Sequence, residues 1–345
     1  MEHHEHHGRH YAQKGKLTLR QRLRLHEGYL RARALDRSVH ALAALRYVLP
    51  DASPSRFDIE LTKDVVYGPS DDRDHRLDVY VPRRASRPIP VVMYVHGGGF
   101  GMLSKETHRV MALAIARRGY VVFNINYRQG LYRQFPIPLE DAATALLWVA
   151  RNCARFGGDP DRLALAGESA GGNLVTALAL AHSKRYELPF ARRLFDADLP
   201  LRAVVSTYPF LDMRDAHAYL RHPKLAPWLK WLVFDAAVSY VGARVYTDDH
   251  DNLASPLALL EGGYAPERPL PPFFLSCGTR DPLLGDSKRL ARALDRLGVD
   301  HELVIAPGEI HGYDAMVWRG AAKEKWRRAH DFLARHLDHP PLRSP

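Results

Sequence analysis

The chain has 345 residues, 46% of them hydrophobic and 26% charged; these are the proportions of an ordinary globular protein, with enough length for a large core. Its two cysteines, Cys153 and Cys277, exclude a disulfide framework, and no apolar run is long enough to cross a bilayer. The formal net charge is +10, but the arginines are scattered through stretches such as 20–37 and 323–328 without interleaved aromatics. A solvated basic surface is therefore expected, not a nucleic-acid site.

Five of the nineteen histidines fall within the first ten residues. Residues 1–16 read as a disordered, His-rich tail in which metal ligation would have no fixed geometry, so no functional metal site is expected. The polar start does not read as a secretory signal, and a cytoplasmic location is the default expectation. Residues 17–52 carry apolar side chains at helical spacing. Leu23, Leu30, Leu35, Val39, Leu42 and Leu45 make an apolar face that Pro50 and Pro54 terminate. This predicts one or two N-terminal helices outside the main sheet, forming part of a cap.

From residue 58 the period changes. Residues 59–67 and 76–81 alternate like two antiparallel strands around a Gly-Pro-Ser-Asp-Asp turn. Short apolar runs of the doubly buried kind follow at 90–95, 121–125, 163–166, 203–206, 272–276 and 301–305. Helical stretches at 108–118, 139–152, 173–182 and 286–297 separate them. Strand–helix alternation predicts an α/β fold: a mostly parallel eight-stranded sheet with helices on both faces, built from residues 53–211 and 253–340. Residues 212–252 break the rhythm. They hold Trp228, Trp231, Phe234, Tyr240 and Tyr246 without a clear strand, and are expected to be a helical cap insertion over the sheet.

Two motifs stand at strand ends. Gly167-Glu168-Ser169-Ala170-Gly171 lies between the run at 163–166 and the helix near Asn173. A nucleophile placed there sits on a turn so tight that small neighbours are required, beside a helix N-terminus that favours negative charge. His96-Gly97-Gly98-Gly99-Phe100 follows the run ending at Val95. Consecutive glycines leave backbone N–H groups that can face an oxyanion. The Gly-Lys-Ser/Thr ending of a nucleotide loop is absent.

These two motifs, with Tyr127-Arg128, Phe135-Pro136-Ile137-Pro138 leading to Asp141, Phe156-Gly157-Gly158-Asp159-Pro160 and Ser255-Pro256, resemble the hormone-sensitive-lipase branch of the α/β-hydrolases. That family consists of carboxylesterases and lipases, and the likeness runs from about Val91 to Asp314. It implies an α/β-hydrolase fold with a helical cap and a Ser169–Asp281–His311 triad in that chain order. Asp281 follows the next-to-last strand and His311 the last. Asp286 and His301 are nearby alternatives; His301 falls at the wrong end of its strand. The resemblance also implies an oxyanion hole from the N–H groups of Gly98, Gly99 and Ala170, with His96 bracing the loop. Glu168 departs from the Asp or small polar residue usual there and is expected to point away from the reacting centre, towards neighbouring loops or a dimer partner.

The expected activity is hydrolysis of short- to medium-chain carboxylic esters through an acyl-enzyme, with no cofactor and a small-molecule ester as partner. Phe100, Tyr208, Trp228, Trp231 and Tyr313 are candidates to line the pocket. Arylamide hydrolysis uses the same triad. A non-catalytic small-molecule receptor is a further class, but one that would not need all three triad residues. A homodimer is an expectation by analogy with the fold alone.

Overall fold

Short runs rich in Val, Ile, Leu and Phe form strands that can be buried on both faces, and helices between them return the chain for parallel pairing. The computed structural model describes residues 19–48, 53–70, 72–83, 88–130, 132–214, 216–221, 223, 225–242 and 252–338. The His-rich tail and Tyr246 lie outside the described residues. Eight strands form one sheet: β1 (Ile59–Val66), β2 (Arg76–Pro82), β3 (Ile89–Val95), β4 (Val121–Ile125), β5 (Gly158–Glu168), β6 (Leu201–Thr207), β7 (Phe273–Gly278) and β8 (His301–Ala306). Their order across the sheet is β1-β2-β4-β3-β5-β6-β7-β8. β2 runs antiparallel to both its neighbours, and the other pairings are parallel.

The helices are α1 (Leu19–Val48), α2 (Arg109–Ala116), α3 (Ile137–Asn152), α4 (Ala170–Ser183), α5 (Pro189–Asp196), α6 (His217–Arg221), α7 (Pro227–Val241), α8 (Pro256–Glu261), α9 (Leu284–Arg296) and α10 (Gly320–His336). Successive side chains of a strand point to opposite faces, and the core divides accordingly. Val91, Met93 and Val95 of β3 belong to one apolar cluster, with Leu146 of α3, Leu174 of α4 and Leu290 of α9. Val92 and Tyr94 belong to a second, on the other face, with Met111 of α2 and Phe332 of α10. Because β3 and β5 to β8 run in one direction, their C-terminal ends meet along one edge, and the loops leaving that edge converge. No helix among the described residues is long and apolar enough to cross a membrane.

The N-terminal segment is a single helix, and it buries a different face from the one its leucines suggest. Leu23, Leu30, Leu35, Leu42 and Leu45 are 42–69% exposed. The inward stripe is Gly28, Ala32, Asp36, Val39, Ala43 and Tyr47, also at helical spacing. Its contacts are largely polar. Asp36 accepts the Leu103 N–H at 2.7 Å, His40 Nε2 lies 2.9 Å from Ser104 Oγ, and the Tyr47 hydroxyl donates to the Thr107 carbonyl at 2.9 Å. Side chains that satisfy backbone groups of a loop are selected by hydrogen-bond geometry, which apolar periodicity does not register. Arg31 completes the packing by pairing with Asp235 of α7 at 2.8 Å.

The strap after the glycine loop is fastened to the sheet by a buried lysine. Lys105 Nζ lies 2.8 Å from Asp78 of β2, 2.7 Å from Glu106 and 2.9 Å from Asp64. Its backbone N–H donates to Asn126 Oδ1 at 2.7 Å, and its carbonyl accepts from Asn124 Nδ2 at 2.8 Å. Removing one member of a buried ion pair leaves the other uncompensated. Lys105→Met is therefore expected to destabilise the fold by about 3–5 kcal/mol in urea unfolding. The double change Lys105→Met with Asp78→Leu should lose less than the single one. Equal losses would mean that the stranded Asp78 charge is not the cause.

Candidate active site

β5 ends at Glu168, and α4 begins at Ala170. One residue, Ser169, must reverse the chain between them. It does so at φ 53° and ψ −116°, a backbone conformation that an L side chain rarely adopts. Three backbone bonds hold it. The Ser169 N–H donates to Thr207 at 3.0 Å, and its carbonyl accepts from Asn173 at 3.0 Å and Phe210 at 3.2 Å. The flanking glycines are steric necessities. A Cβ on Gly171 would stand 2.0 Å from the Val95 carbonyl oxygen, and one on Gly167 would stand 2.6 Å from that of Gly171.

The predicted triad residues come together. His311 Nε2 lies 3.0 Å from Ser169 Oγ, and His311 Nδ1 lies 2.9 Å from Asp281 Oδ2. A carboxylate can only accept, so Nδ1 carries a proton and Nε2 of the neutral ring is the acceptor for the serine hydroxyl. Asp281 is buried, and its second oxygen accepts the Leu283 N–H at 2.8 Å, which fixes the carboxylate in its turn. Asp286, the nearby alternative, is committed elsewhere. It accepts the N–H groups of Leu211 and Asp212 at 2.8 and 3.2 Å, and burial pushes its carboxyl up to about 7. His301 pairs with Phe273 at the start of β8, at the far end of the sheet.

His311 is held above its ordinary value. Burial opposes its charge, but Asp281 beside it, with Glu168 and Asp314 further off, outweighs that effect. Behind the ring, Tyr208 packs edge-on at 4.6 Å between centroids. The Tyr208 hydroxyl donates to Asp314, which is paired with the buried Lys325 at 2.7 Å.

The glycine loop leaves β3 beside this turn. Gly98 and Gly99 have φ of 117° and 59°. The Gly98 carbonyl accepts from Gly101 and Met102 at 3.2 and 3.1 Å. His96 is buried and stacked on Tyr127 at 4.5 Å, and its Nδ1 lies 2.6 Å from the Gly97 carbonyl. Burial, with His108 nearby, lowers it to about 3. It is a neutral brace for the loop. The Tyr127-Arg128 pair is likewise structural. The Arg128 side chain grips Asp141 of α3 at 2.6–3.1 Å, and His75 Nε2 closes the cluster at 3.1 Å.

A cavity of about 540 Å³ opens over Gly98 and Gly99, between α1 and α7. Trp228, Trp231, Leu232, Ala236 and Leu35 form its apolar walls, and Glu27, Arg31 and Asp235 its charged ones. The other expected lining residues do not line it. Phe100 is buried, face to face with Tyr240 at 3.8 Å. Tyr208 is behind His311. Tyr313 is buried, with its hydroxyl on Ser276. Aromatic character did not separate wall from core: α7 alone carries both, with Trp228 and Trp231 at the cavity and Phe234 and Tyr240 buried. Among the described residues, no group of three or more His, Cys, Asp or Glu side chains is placed to hold a metal ion.

A family model for the α/β-hydrolase fold matches residues 92–315, a span that contains both motifs and Ser169, Asp281 and His311. The chain belongs to the α/β-hydrolase family. This α/β hydrolase is 33% identical over 236 residues to carboxylesterase NlhH of Mycobacterium tuberculosis, a match spanning 68% of the chain and 70% of that protein. It is 25% identical over 284 residues to an ethyl acetate hydrolase of Pseudomonas putida, spanning 77% and 84% of the two chains. Among solved structures it resembles a bacterial heroin esterase, with a TM-score of 0.72, 26% identity, and coverage of 90% and 93%. These likenesses agree with the hormone-sensitive-lipase-like branch read from the motifs.

Asp281 is the main source of the raised His311 value, so Asp281→Asn should lower it. In the parent protein, the His311 ring proton followed by NMR should titrate with a midpoint above 6.5. Since the folded value is raised, the pair adds stability that is full below the unfolded value and is lost as pH rises through the folded one. A midpoint unmoved by Asp281→Asn would show that Asp281 is not what raises it.

Proposed function

We propose that this α/β hydrolase is a serine carboxylesterase that cleaves short- to medium-chain carboxylic esters through an acyl-enzyme on Ser169. The observation that carries this reading is the continuous chain of hydrogen bonds from Ser169 through His311 to Asp281; a largely apolar cavity lies beside it, over Gly98 and Gly99 of the glycine loop. The names of its relatives agree with ester hydrolysis.

The chemistry follows from the atoms. His311 Nε2 takes the Ser169 proton as Oγ attacks the ester carbonyl. The imidazolium so formed is stabilised by Asp281 and then protonates the departing alcohol. Water, deprotonated by His311, releases the acid and restores the serine. The tetrahedral oxyanion is received by the N–H groups of Gly98 and Gly99 on one side and of Ala170, at the start of α4, on the other. The Gly97 N–H is already taken by the Glu168 carboxylate. The α1–α7 cavity, of about 540 Å³, takes the apolar part of the substrate.

The test is hydrolysis of p-nitrophenyl esters from acetate to palmitate, by the parent protein and Ser169→Ala. Turnover should be greatest at the short end and fall by about 10⁴–10⁶ in the variant. Undiminished turnover in Ser169→Ala would remove the nucleophile assignment, and a maximum at palmitate would remove the chain-length reading.

A further inference from the structure

The triad places three side chains, but an oxyanion hole also needs its backbone donors held still. The glycine loop cannot do this for itself, because Gly97, Gly98 and Gly99 have the broadest backbone freedom of any residues. Something outside the loop must set its position relative to Ser169.

The residue that precedes the nucleophile reaches that loop. Glu168 is buried at the end of β5. One carboxylate oxygen accepts the Gly97 N–H and stands 2.8 Å from His108 Nε2; the other accepts the hydroxyl of Tyr94. Gly97 is thus gripped through both of its backbone polar groups: Glu168 holds its N–H, and His96 Nδ1 its carbonyl at 2.6 Å. His108 is itself tied to the strap, with Nδ1 at 3.1 Å from the Ser104 carbonyl and 2.9 Å from Thr107 Oγ1. It also stacks on His96 at 5.5 Å. Burial opposes charge on His108, but Glu168 beside it raises its proton affinity.

We propose that Glu168 is a positioning residue for the oxyanion loop: braced by Tyr94 and His108, its carboxylate fixes the Gly97 N–H and so sets Gly98 and Gly99 at a constant distance from Ser169. The inference rests on reading that loop as the oxyanion hole. Its logic is covalent. Glu168 and Ser169 are adjacent in the chain, so anchoring the loop to Glu168 ties the donors to the nucleophile through one peptide bond. A strand shift that moved Ser169 would carry the loop with it.

Two measurements on the full chain test this. The first is hydrogen exchange at the Gly97, Gly98 and Gly99 amides without substrate. The second is steady-state hydrolysis of p-nitrophenyl butyrate, with inhibition by butaneboronic acid, whose tetrahedral serine adduct needs the oxyanion donors. In Glu168→Ala the three amides should exchange faster. kcat should fall about 10- to 100-fold with KM changed less than about 3-fold, and boronate affinity should fall in step with kcat. Glu168→Gln keeps an acceptor for Gly97 and a polar group for Tyr94 and His108. It should restore protection and bring kcat to within about 5-fold of the parent.

Unchanged exchange and unchanged kcat in Glu168→Ala would overturn the proposal. A Glu168→Gln variant no better than Glu168→Ala would overturn it too, since charge and not anchoring would then be what matters. Should Glu168→Ala fail to fold, Tyr94→Phe removes one donor to the carboxylate while keeping the ring. Faster Gly97 exchange with lowered kcat supports the anchor there, and no change in either overturns it. Exchange is read without turnover, so a failed anchor and an absence of esterase activity give different results.

Discussion

At the Ser169 turn, backbone meets backbone with no room for a side chain on the flanking glycines. Gly171 stands so close to the end of β3 that a Cβ would lie 2.0 Å from the Val95 oxygen, and Gly167 is almost as confined. β3, β5 and α4 are therefore jammed together at one point, which is also where the glycine loop begins. The close approach puts prospective oxyanion donors beside the serine. It also leaves Ser169 at φ 53°, a strain of about 1–3 kcal/mol that the surrounding bonds must sustain. The other parts of the site are arranged around this contact: β7 and β8 deliver Asp281 and His311 to it because they run parallel to β5.

Loops that carry chemistry would be mobile if only their ends were held. Here each is bound to the sheet or its helices by a buried charged group. Lys105 joins the strap to Asp78 of β2. Arg128 and His75 join at Asp141 of α3. Lys325 of α10 holds Asp314, which holds Tyr208 against His311. Glu168 gathers Tyr94, Gly97 and His108. Such pairs add little net stability over apolar packing, but they have directions, and a direction is what a positioned loop requires.

α1 is held differently. It meets the strap and α7 through single hydrogen bonds and the half-exposed Arg31–Asp235 pair, and its Leu23, Leu30, Leu42 and Leu45 face outward. Trp228 is also largely exposed, at the cavity wall. The division suits an enzyme whose reacting atoms must be held fixed while the surface that receives the substrate is free to vary between relatives.

What the sequence determined by itself was whatever short-range sterics and chain order impose. The tight turn at Ser169 is legible because its backbone leaves no room for a Cβ at Gly167 and Gly171, both within five positions. The strands are legible because burial on both faces demands unbroken apolar runs. Asp281 and His311 are legible because parallel strands send successive loops to one edge. Only the tertiary structure decided which face of α1 turns inward, which aromatics form the cavity, and what Glu168 holds. The inward face of α1 is chosen by bonds to residues 60 or more positions away, and the exposed leucines mislead. Phe100 and Trp231 are equally apolar, but one is buried face to face with Tyr240 and the other lines an opening that exists only once α1 and α7 are packed. A carboxylate beside a nucleophile can point several ways. It was Tyr94, Gly97 and His108, brought near by the pairing of β3 with β5, that gave it one.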